Sequence, residues 1–177
     1  MHTLQNHIKM DSITYYSSIG ESYESLYLRE QENKIRFILS KIKVNETDRI
    51  LDVGAGTGIL ESLLPKNKIT AIEPSDMAKI LVKKEFKNVS VVKKRIQDFV
   101  SDKKFDIVFC ITVLQDIKEE DREGTIKKMF ELTAEKGHLI ISILKSSNID
   151  LSYLNPVESG YIENDRYFIF FNNVKAF

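Results

Sequence analysis

The 177-residue chain has one cysteine, three prolines and no tryptophan. Because Cys110 has no partner within the chain, an internal disulfide is excluded, and a reducing compartment is favoured. So few prolines, together with only seven glycines, exclude a collagen-like or low-complexity chain. The cysteine and the three histidines show no metal-ligand spacing, so the sequence predicts no metal site.

Long apolar runs are also missing. No stretch reaches the ~18 residues that a membrane-spanning helix needs, and residues 1–10 lack the apolar core of a signal peptide. We therefore expect a cytoplasmic protein without a membrane span. At this length, with 42% apolar residues, the chain is expected to fold as one domain with a sizeable core.

The chain has no excess of either charge, with 26 basic and 26 acidic residues. The balanced net charge therefore predicts no overall electrostatic attraction to nucleic acid or to an anionic membrane. A local excess occurs between Lys79 and Lys104, where nine basic residues accompany three acidic ones. A solvated helix face and loop explain this excess most simply, while a nucleic-acid-binding face stays open as an alternative.

Strand-like and helix-like segments alternate along the chain. Apolar runs predict strands over residues 50–53, 68–73, 89–93, 105–111 and 138–144. Helical spacing predicts helices over residues 30–42, 59–64, 74–86 and 120–134, and Gly137 is expected to end the last helical region. Two final strand-like runs, 161–162 and 167–171, are separated by Asn164-Asp165, which suits a tight antiparallel turn. The pattern predicts an α/β fold with a doubly wound, mostly parallel sheet and a C-terminal antiparallel strand pair.

A glycine-rich loop follows the first predicted strand. Gly54, Gly56 and Gly58 occupy alternate positions before the next predicted helix. Glycines at this spacing let the chain turn sharply and let a ligand approach the backbone closely. Glu73 closes the second predicted strand, where doubly wound folds place an acidic side chain that accepts both ribose hydroxyls. The loop and Glu73 together predict a ligand that contains a nucleoside.

The spacing of the glycines decides between two kinds of nucleoside ligand. A dinucleotide fingerprint requires G-x-G-x-x-G, but Ile59 stands where its third glycine belongs. The position of Glu73 is compatible with NAD, so a nicotinamide-dependent oxidoreductase is an alternative. Ile59, the predicted C-terminal strand pair and the lack of a Tyr-x-x-x-Lys pair argue against it.

Four segments together resemble the class I S-adenosylmethionine-dependent methyltransferases. They are Leu51 to Gly58, Ala71 to Ser75, Phe105 to Val108 and Lys136 to Ile141. The resemblance implies a Rossmann-like fold, S-adenosylmethionine as the cofactor and S-adenosylhomocysteine as the product. It also implies methyl transfer to an acceptor of unidentified class, expected to be a small or medium-sized molecule. RNA or protein acceptors, and a non-catalytic module that only binds the cofactor, are the alternatives.

The same resemblance implies cofactor contacts along the chain. Asp52 would hold the loop and the cofactor's ammonium group, directly or through water. Glu73 would bind the ribose hydroxyls, with Pro74 against the adenosine. Cys110, Ile111 and Thr112 would line the methionine and methyl-donor end. The expected cofactor-binding residues are Tyr23, Asp52, Gly54, Ala55, Gly56, Gly58, Glu73, Pro74, Ile96, Asp98, Ile111 and Thr112.

The adenine contacts depart from the family pattern. Family members often place Asp or Glu just after the third strand to accept a hydrogen bond from the adenine amino group. This chain has Arg95 there, and Asp98 follows three residues later. Either Asp98 takes that role, or the backbone near Ile96 holds the adenine edge alone.

The N-terminal segment carries four tyrosines between Tyr15 and Tyr27. Residues 19–23 resemble the entry segment of quinone-ring methyltransferases, where a Tyr-Asp pair is usual; here Glu24 follows Tyr23. The tyrosines either pack the first helix on the sheet or form a lid in which Tyr23 covers the cofactor. We expect a single domain over 1–177, with a helical lid segment (1–43) after a loosely docked start (1–12), and a core (44–177).

No catalytic dyad stands out in the sequence. Methyl transfer from a sulfonium is an in-line displacement, so alignment in a dry cleft can supply much of the catalysis. The candidates for orienting a nucleophile are Gln115, Asp116 and Tyr23, although a loop or helix-cap role would also explain Gln115 and Asp116. Without a large insertion, the substrate cap must come from the N-terminal segment, the tail or a second subunit of a homodimer.

Overall fold

A seven-stranded sheet forms the centre of the computed structural model, which describes residues 11–173. The strands are β1 Arg49–Val53, β2 Lys68–Ile72, β3 Val89–Val92, β4 Phe105–Ile111, β5 Thr133–Leu144, β6 Glu158–Ile162 and β7 Asp165–Phe171. Their order across the sheet is β3-β2-β1-β4-β5-β7-β6. The first five pair in parallel, and β7 is antiparallel to both β5 and β6. The predicted mostly parallel sheet and its antiparallel C-terminal pair are confirmed.

The α-helices pack on both faces of this sheet. They are α1 Ser12–Ile19, α2 Tyr23–Leu39, α3 Ile59–Leu63, α4 Met77–Lys83 and α5 Glu119–Leu132. On one face, α5 contributes Ile126 and Met129 to a core that contains Leu139 and Phe168. On the other face, residues of α2 and α3 surround Phe109. Within residues 11–173, no helix is both long and apolar enough to cross a membrane.

The N-terminal helices begin earlier than predicted. Asp11 caps α1, because its side chain accepts a hydrogen bond from the Thr14 N–H at 3.2 Å. Ser12 Oγ also donates to the Asp116 carbonyl oxygen at 3.4 Å, so the expectation of a loosely docked start is wrong for Ser12, and residues 1–10 lie outside the described part. The helix predicted over 30–42 begins at Tyr23, while α4 is shorter at both ends than the predicted 74–86.

Gly137 does not end a helical region. The helix α5 ends at Leu132, and the chain enters β5 at once, with Gly137 inside the strand. A Cβ atom on Gly137 would lie 2.7 Å from the Asp106 carbonyl oxygen. The glycine is needed because two backbones meet there, where the pairing of β4 with β5 shifts register.

The predicted C-terminal turn is displaced by one residue. Ile162 pairs with Asp165, so the turn consists of Glu163 and Asn164. Glu163 adopts the left-handed conformation, with φ of 49°. Asp165 is fully buried as the first residue of β7, because its carboxylate accepts hydrogen bonds in the interior instead of serving the turn.

Candidate functional site

A cavity of about 610 Å³ opens at the carboxyl ends of β1, β2 and β4. Five segments line it: the α1 region with Tyr23, the glycine loop, residues 72–77, residues 95–97 and residues 111–122. The strand order reverses between β1 and β4, and ligands of doubly wound sheets bind at such a switch point. The fold therefore places the predicted glycine loop and the predicted catalytic candidates around one cavity.

The glycine loop has the backbone conformation that the sequence pattern predicts. Gly54, Gly56 and Gly58 have φ values of 81°, 56° and 91°, in the region that side chains disfavour. A Cβ atom on Gly54 would lie 2.3 Å from a methyl carbon of Val113. Gly54 and Gly56 line the cavity, so a ligand there would meet bare main chain.

Gly58 has a different surrounding from the other two loop glycines. It lies outside the cavity lining, and a Cβ atom there would be 2.3 Å from Leu81 Cδ1. This close approach joins the start of α3 to α4. The structure thus gives Gly58 a packing role, and its predicted cofactor contact stays a prediction.

Glu73 presents a fixed carboxylate to the cavity. The residue is 6% exposed, and its Oε2 accepts a hydrogen bond from the Gly56 N–H at 2.9 Å. Its Oε1 accepts one from the Ser75 N–H at 2.8 Å. Because each carboxylate oxygen can accept a second hydrogen bond, both oxygens retain capacity for a ligand that carries two neighbouring hydroxyls. Pro74 lines the cavity beside them.

The predicted adenine region is only partly brought to the cavity. Arg95, Ile96 and Gln97 line it, but the Asp98 side chain is exposed and lies outside the lining. The short 3₁₀ turn Ile96–Asp98 buries Ile96 and turns Asp98 away. This placement favours backbone near Ile96 over Asp98 as the group that would meet an adenine edge.

Asp52, on β1, and Ala55, in the glycine loop, do not line the large cavity. They line a second, small cavity of about 40 Å³, together with Tyr23 and Ile111. Asp52 is 4% exposed, and the carboxyl group beside it belongs to the fully buried Glu61 on α3. Burial, and then the charge of Glu61, raise the pKa of Asp52 well above its usual range.

Thr112 lines the large cavity, but its hydroxyl is engaged in the interior. Thr112 has φ of 58°, and its Oγ1 donates to Asp165 Oδ2 at 2.7 Å. The same oxygen accepts from Lys34 Nζ at 2.8 Å. Ser142 Oγ also donates to Asp165 Oδ2, at 2.6 Å.

Lys34 and Asp165 form a buried ion pair that the sequence pattern does not predict. Nζ lies 2.9 Å from Asp165 Oδ1, and both side chains are 0% exposed. The pair ties α2 to the carboxyl edge of the sheet behind Thr112. One signal was available, because Lys34 precedes Ile38 by one helical turn and therefore lies on the apolar face of α2.

A hydrogen bond between Tyr16 and Asp116 connects the N-terminal helix α1 to the core. The Tyr16 hydroxyl donates to Asp116 Oδ2 at 3.1 Å, and Gln115 Nε2 approaches the same oxygen at 3.4 Å. Burial raises the pKa of Asp116. Burial and the charge of Asp116 also raise the pKa of Tyr16, so its hydroxyl remains a donor. Gln115 Oε1 is buried without a hydrogen-bond partner in the described part of the chain.

The tyrosines both pack and line the cavity. The rings of Tyr16 and Tyr23 lie 6.2 Å apart, and those of Tyr23 and Tyr27 lie 5.2 Å apart. Tyr15, Tyr16 and Tyr23 line the large cavity. The α1 helix is also held to the opposite wall, where the Asp76 N–H donates to Ser17 Oγ at 3.0 Å. The two interpretations of the tyrosine segment are therefore compatible.

Cys110 is not a nucleophile in this structure. It is 0% exposed inside β4, and burial raises the pKa of its thiol, so the reactive thiolate is not formed at neutral pH. Among residues 11–173, no three His, Cys, Asp or Glu residues are grouped to hold a metal ion.

Comparison with known proteins gives a consistent set of relatives. A family model described as a methyltransferase domain matches residues 25–170. The ubiquinone biosynthesis O-methyltransferase of Rickettsia typhi (strain ATCC VR-144 / Wilmington) is 27% identical over 121 residues, covering 63% of this chain and 48% of that protein. That of Rickettsia prowazekii (strain Madrid E) is 30% identical over 94 residues, covering 48% and 37%. The chain spans about half, or less, of the length of these two relatives.

Solved structures share the fold. The magnesium protoporphyrin IX methyltransferase of Synechocystis PCC 6803, solved with bound S-adenosylmethionine, superposes with a TM-score of 0.76 at 14% identity. The superposition covers 91% of this chain and 95% of that one. An N-methyltransferase of Bradyrhizobium japonicum WM9 gives a TM-score of 0.66 at 18% identity, covering 85% and 99%. The sheet order and the C-terminal strand pair are thus those of a known fold.

Proposed function

The chain belongs to the methyltransferase domain family, and from this membership we propose that it transfers a methyl group from S-adenosylmethionine to a hydroxyl group of a small organic acceptor. The observation that carries the cofactor assignment is the position of Glu73, whose two oxygens are fixed by the Gly56 and Ser75 N–H groups. Membership in this family sets aside the nicotinamide-dependent alternative.

The residues around the cavity fit this cofactor. Glu73 offers two acceptors for the ribose hydroxyls, and Gly54 and Gly56 leave room for close approach to the main chain. Asp52 is buried beside the carboxyl group of Glu61, and the negative charge that this pair carries is available for the ammonium group. When bound, the cofactor supplies an electrophilic methyl group on a sulfonium; the protein positions it and keeps water away.

Polar groups at the large cavity support a hydroxyl group as the methyl acceptor. Asp116 Oδ2 is held by Tyr16, and Gln115 Oε1 has no partner among residues 11–173. Both side chains therefore offer acceptors, which suit a hydroxyl group that must lose its proton. The Rickettsia typhi relative is named an O-methyltransferase, and a cavity of about 610 Å³ has the size of a small-molecule site.

Labelled methyl transfer tests the proposal. Purified chain would be incubated with methyl-labelled S-adenosylmethionine and, separately, catechol, aniline and the small-molecule, RNA and protein fractions of a cell extract. We expect label in the methyl ether of catechol or in the small-molecule fraction. Label confined to RNA or protein would identify the alternative acceptors, and no label in any fraction would favour a module that only binds the cofactor.

The chain's organisation completes the proposal. We propose a single domain over residues 1–177, in which the segment up to residue 43 provides the lid and residues 44–177 the core. The contact of Tyr16 with Asp116 supports the N-terminal segment as the source of the substrate cap, and a second subunit of a homodimer stays the alternative. A cytoplasmic location belongs to the same proposal, since Cys110 is single and buried.

Asp116→Asn should lower the initial rate with the hydroxyl acceptor that becomes labelled by about 10²-fold or more, because general-base catalysis contributes about 10²–10⁴. Burial raises the pKa of Asp116, so the wild-type rate should fall as the pH drops through that raised pKa. The variant should lose this acidic limb. Initial rates measured from pH 5 to 9 check both effects.

Asp102→Asn serves as the matched control, because Asp102 is exposed and outside the cavity. It should leave both the rate and the pH profile unchanged. S-adenosylhomocysteine affinity should be the same in the two variants. A full rate in Asp116→Asn would contradict the role of Asp116 as the base.

A further inference from the structure

Two buried carboxyl groups meet behind the glycine loop. Asp52, on β1, is 4% exposed, and Glu61, on α3, is 0% exposed. In the described part of the chain, no side-chain N–H or hydroxyl group donates a hydrogen bond to either Glu61 oxygen. The polar side chain within hydrogen-bonding reach of Glu61 is Asp52 itself. No side-chain donor among the described residues therefore serves Glu61, and the donor that acts on its carboxylate is its own backbone N–H.

The contact between the carboxyl groups of Asp52 and Glu61 requires that one of them carries a proton. Two ionised carboxylates cannot hydrogen-bond to each other, because neither brings a donor, and burial makes two adjacent negative charges costly. Burial raises the pKa of Glu61 to about 7, and burial with the charge of Glu61 raises the pKa of Asp52 well above its usual range. Near neutral pH the pair holds one proton and carries one negative charge.

The other ionisable groups around the pair do not replace that proton. Glu73, after β2, adds further negative charge near Asp52. Cys110, on β4, has a raised pKa because it is buried, and so stays neutral. Lys84, after α4, lowers the pKa of Glu61, but its ammonium group is already paired with Glu24.

Asp52 is the member of the pair that lines a cavity. Asp52 lines the small cavity below the glycine loop, together with Gly54 and Ala55. Glu61 does not line this cavity, so it can act on a ligand only through Asp52. A cation that enters the small cavity meets the carboxyl group of Asp52 first, and its positive charge favours full ionisation of the pair.

We propose that Asp52 and Glu61 form a proton-exchanging receptor for the ammonium group of the cofactor. The pair keeps one proton between its carboxyl groups in the free protein. When the ammonium group binds, the carboxyl O–H bond breaks, its electron pair stays on oxygen, and the proton passes to the solvent. Glu61 is a positioning residue, and the inference rests on the proposed function because that function supplies the ammonium-bearing ligand.

Calorimetry with S-adenosylhomocysteine tests the proposal. Titrations at pH 6.5 in two buffers of different ionisation enthalpy give the number of protons released on binding. We expect ~0.5–1 proton for the wild-type chain, and an affinity that rises by up to ~10-fold per pH unit between pH 5.5 and 7, since the slope equals the protons released.

Glu61→Gln should abolish the release, because the amide donates permanently to Asp52 and leaves it ionised. Its affinity for S-adenosylhomocysteine should then be nearly constant from pH 5.5 to 7. Glu123→Gln, at an exposed position of α5, is the matched control and should release as many protons as the wild-type chain.

The outcomes separate the two proposals. Binding by the wild-type chain without proton release, or equal release by Glu61→Gln, would overturn the receptor while leaving the cofactor assignment intact. No binding by the wild-type chain would overturn the proposed function itself. If Glu61→Gln does not fold, the wild-type proton count and its pH dependence still decide the question.

Discussion

Glu73→Ala should weaken S-adenosylhomocysteine binding by at least about 10²-fold. The carboxylate lies at the floor of the cavity with both oxygens oriented by main-chain N–H groups. A hydrogen bond to a charged group contributes about 1.5–3 kcal/mol, and each 1.4 kcal/mol is about tenfold in affinity. Loss of two such bonds to the ribose hydroxyls therefore removes most of the affinity. Calorimetric titration of the variant beside the wild-type chain would measure the loss.

Two controls make this result interpretable. Glu123→Ala removes an exposed glutamate from α5 and should not change the affinity. Glu73→Ala also frees the N–H groups of Gly56 and Ser75, at an expected cost of about 1–3 kcal/mol in stability for each group, so circular dichroism must confirm that the variant is folded during the titration. An unchanged affinity in folded Glu73→Ala would refute the ribose role.

Lys34→Met should lower the free energy of unfolding by about 3–5 kcal/mol, because it leaves Asp165 charged and unpaired in the interior. Both side chains are fully buried and their charged atoms lie 2.9 Å apart. Thr112 would also lose the hydrogen bond that it accepts from Lys34 Nζ. Urea unfolding followed by circular dichroism would measure the change.

Two comparison variants distinguish this pair from a surface ion pair. Lys66 and Glu46 pair at 2.5 Å with side chains 70% and 69% exposed, so Lys66→Met should cost less than about 1 kcal/mol. The double variant Lys34→Met/Asp165→Leu should be more stable than Lys34→Met, since it removes the unpaired charge. A cost for Lys34→Met no larger than that of Lys66→Met would contradict the structural role of the buried pair.

Local patterns were sufficient to predict the sheet and the glycine-loop side of the cavity. A parallel strand buried on both faces must be apolar along its length, so β4 was visible as a run of apolar residues. The glycine positions follow from backbone geometry, and Glu73 follows from its place at the end of β2. Each of these features is determined by residues close together in the chain.

The features that the sequence did not reveal depend on contacts between distant segments. Lys34 meets Asp165 only after α2 packs beside β7, and Tyr16 meets Asp116 only after α1 covers the cavity. Contacts between distant segments also explain the displaced C-terminal turn, because Asp165 pairs with Lys34 in the interior. In the α1–α2 region, polar and aromatic side chains that line the cavity interrupt the helical periodicity. The sequence pattern therefore predicts a helix that starts later than the observed one.

Ligand-dependent thermal unfolding tests the cofactor assignment most directly. The full chain would be heated with S-adenosylhomocysteine, NAD or NADP, each over a concentration series. At 100 times its Kd, a ligand that binds only the folded state adds about 2.7 kcal/mol, which for a domain of this size raises Tm by about 5–10 °C. We expect this rise with S-adenosylhomocysteine and no change with NAD or NADP. A rise with either dinucleotide and none with S-adenosylhomocysteine would contradict the assignment.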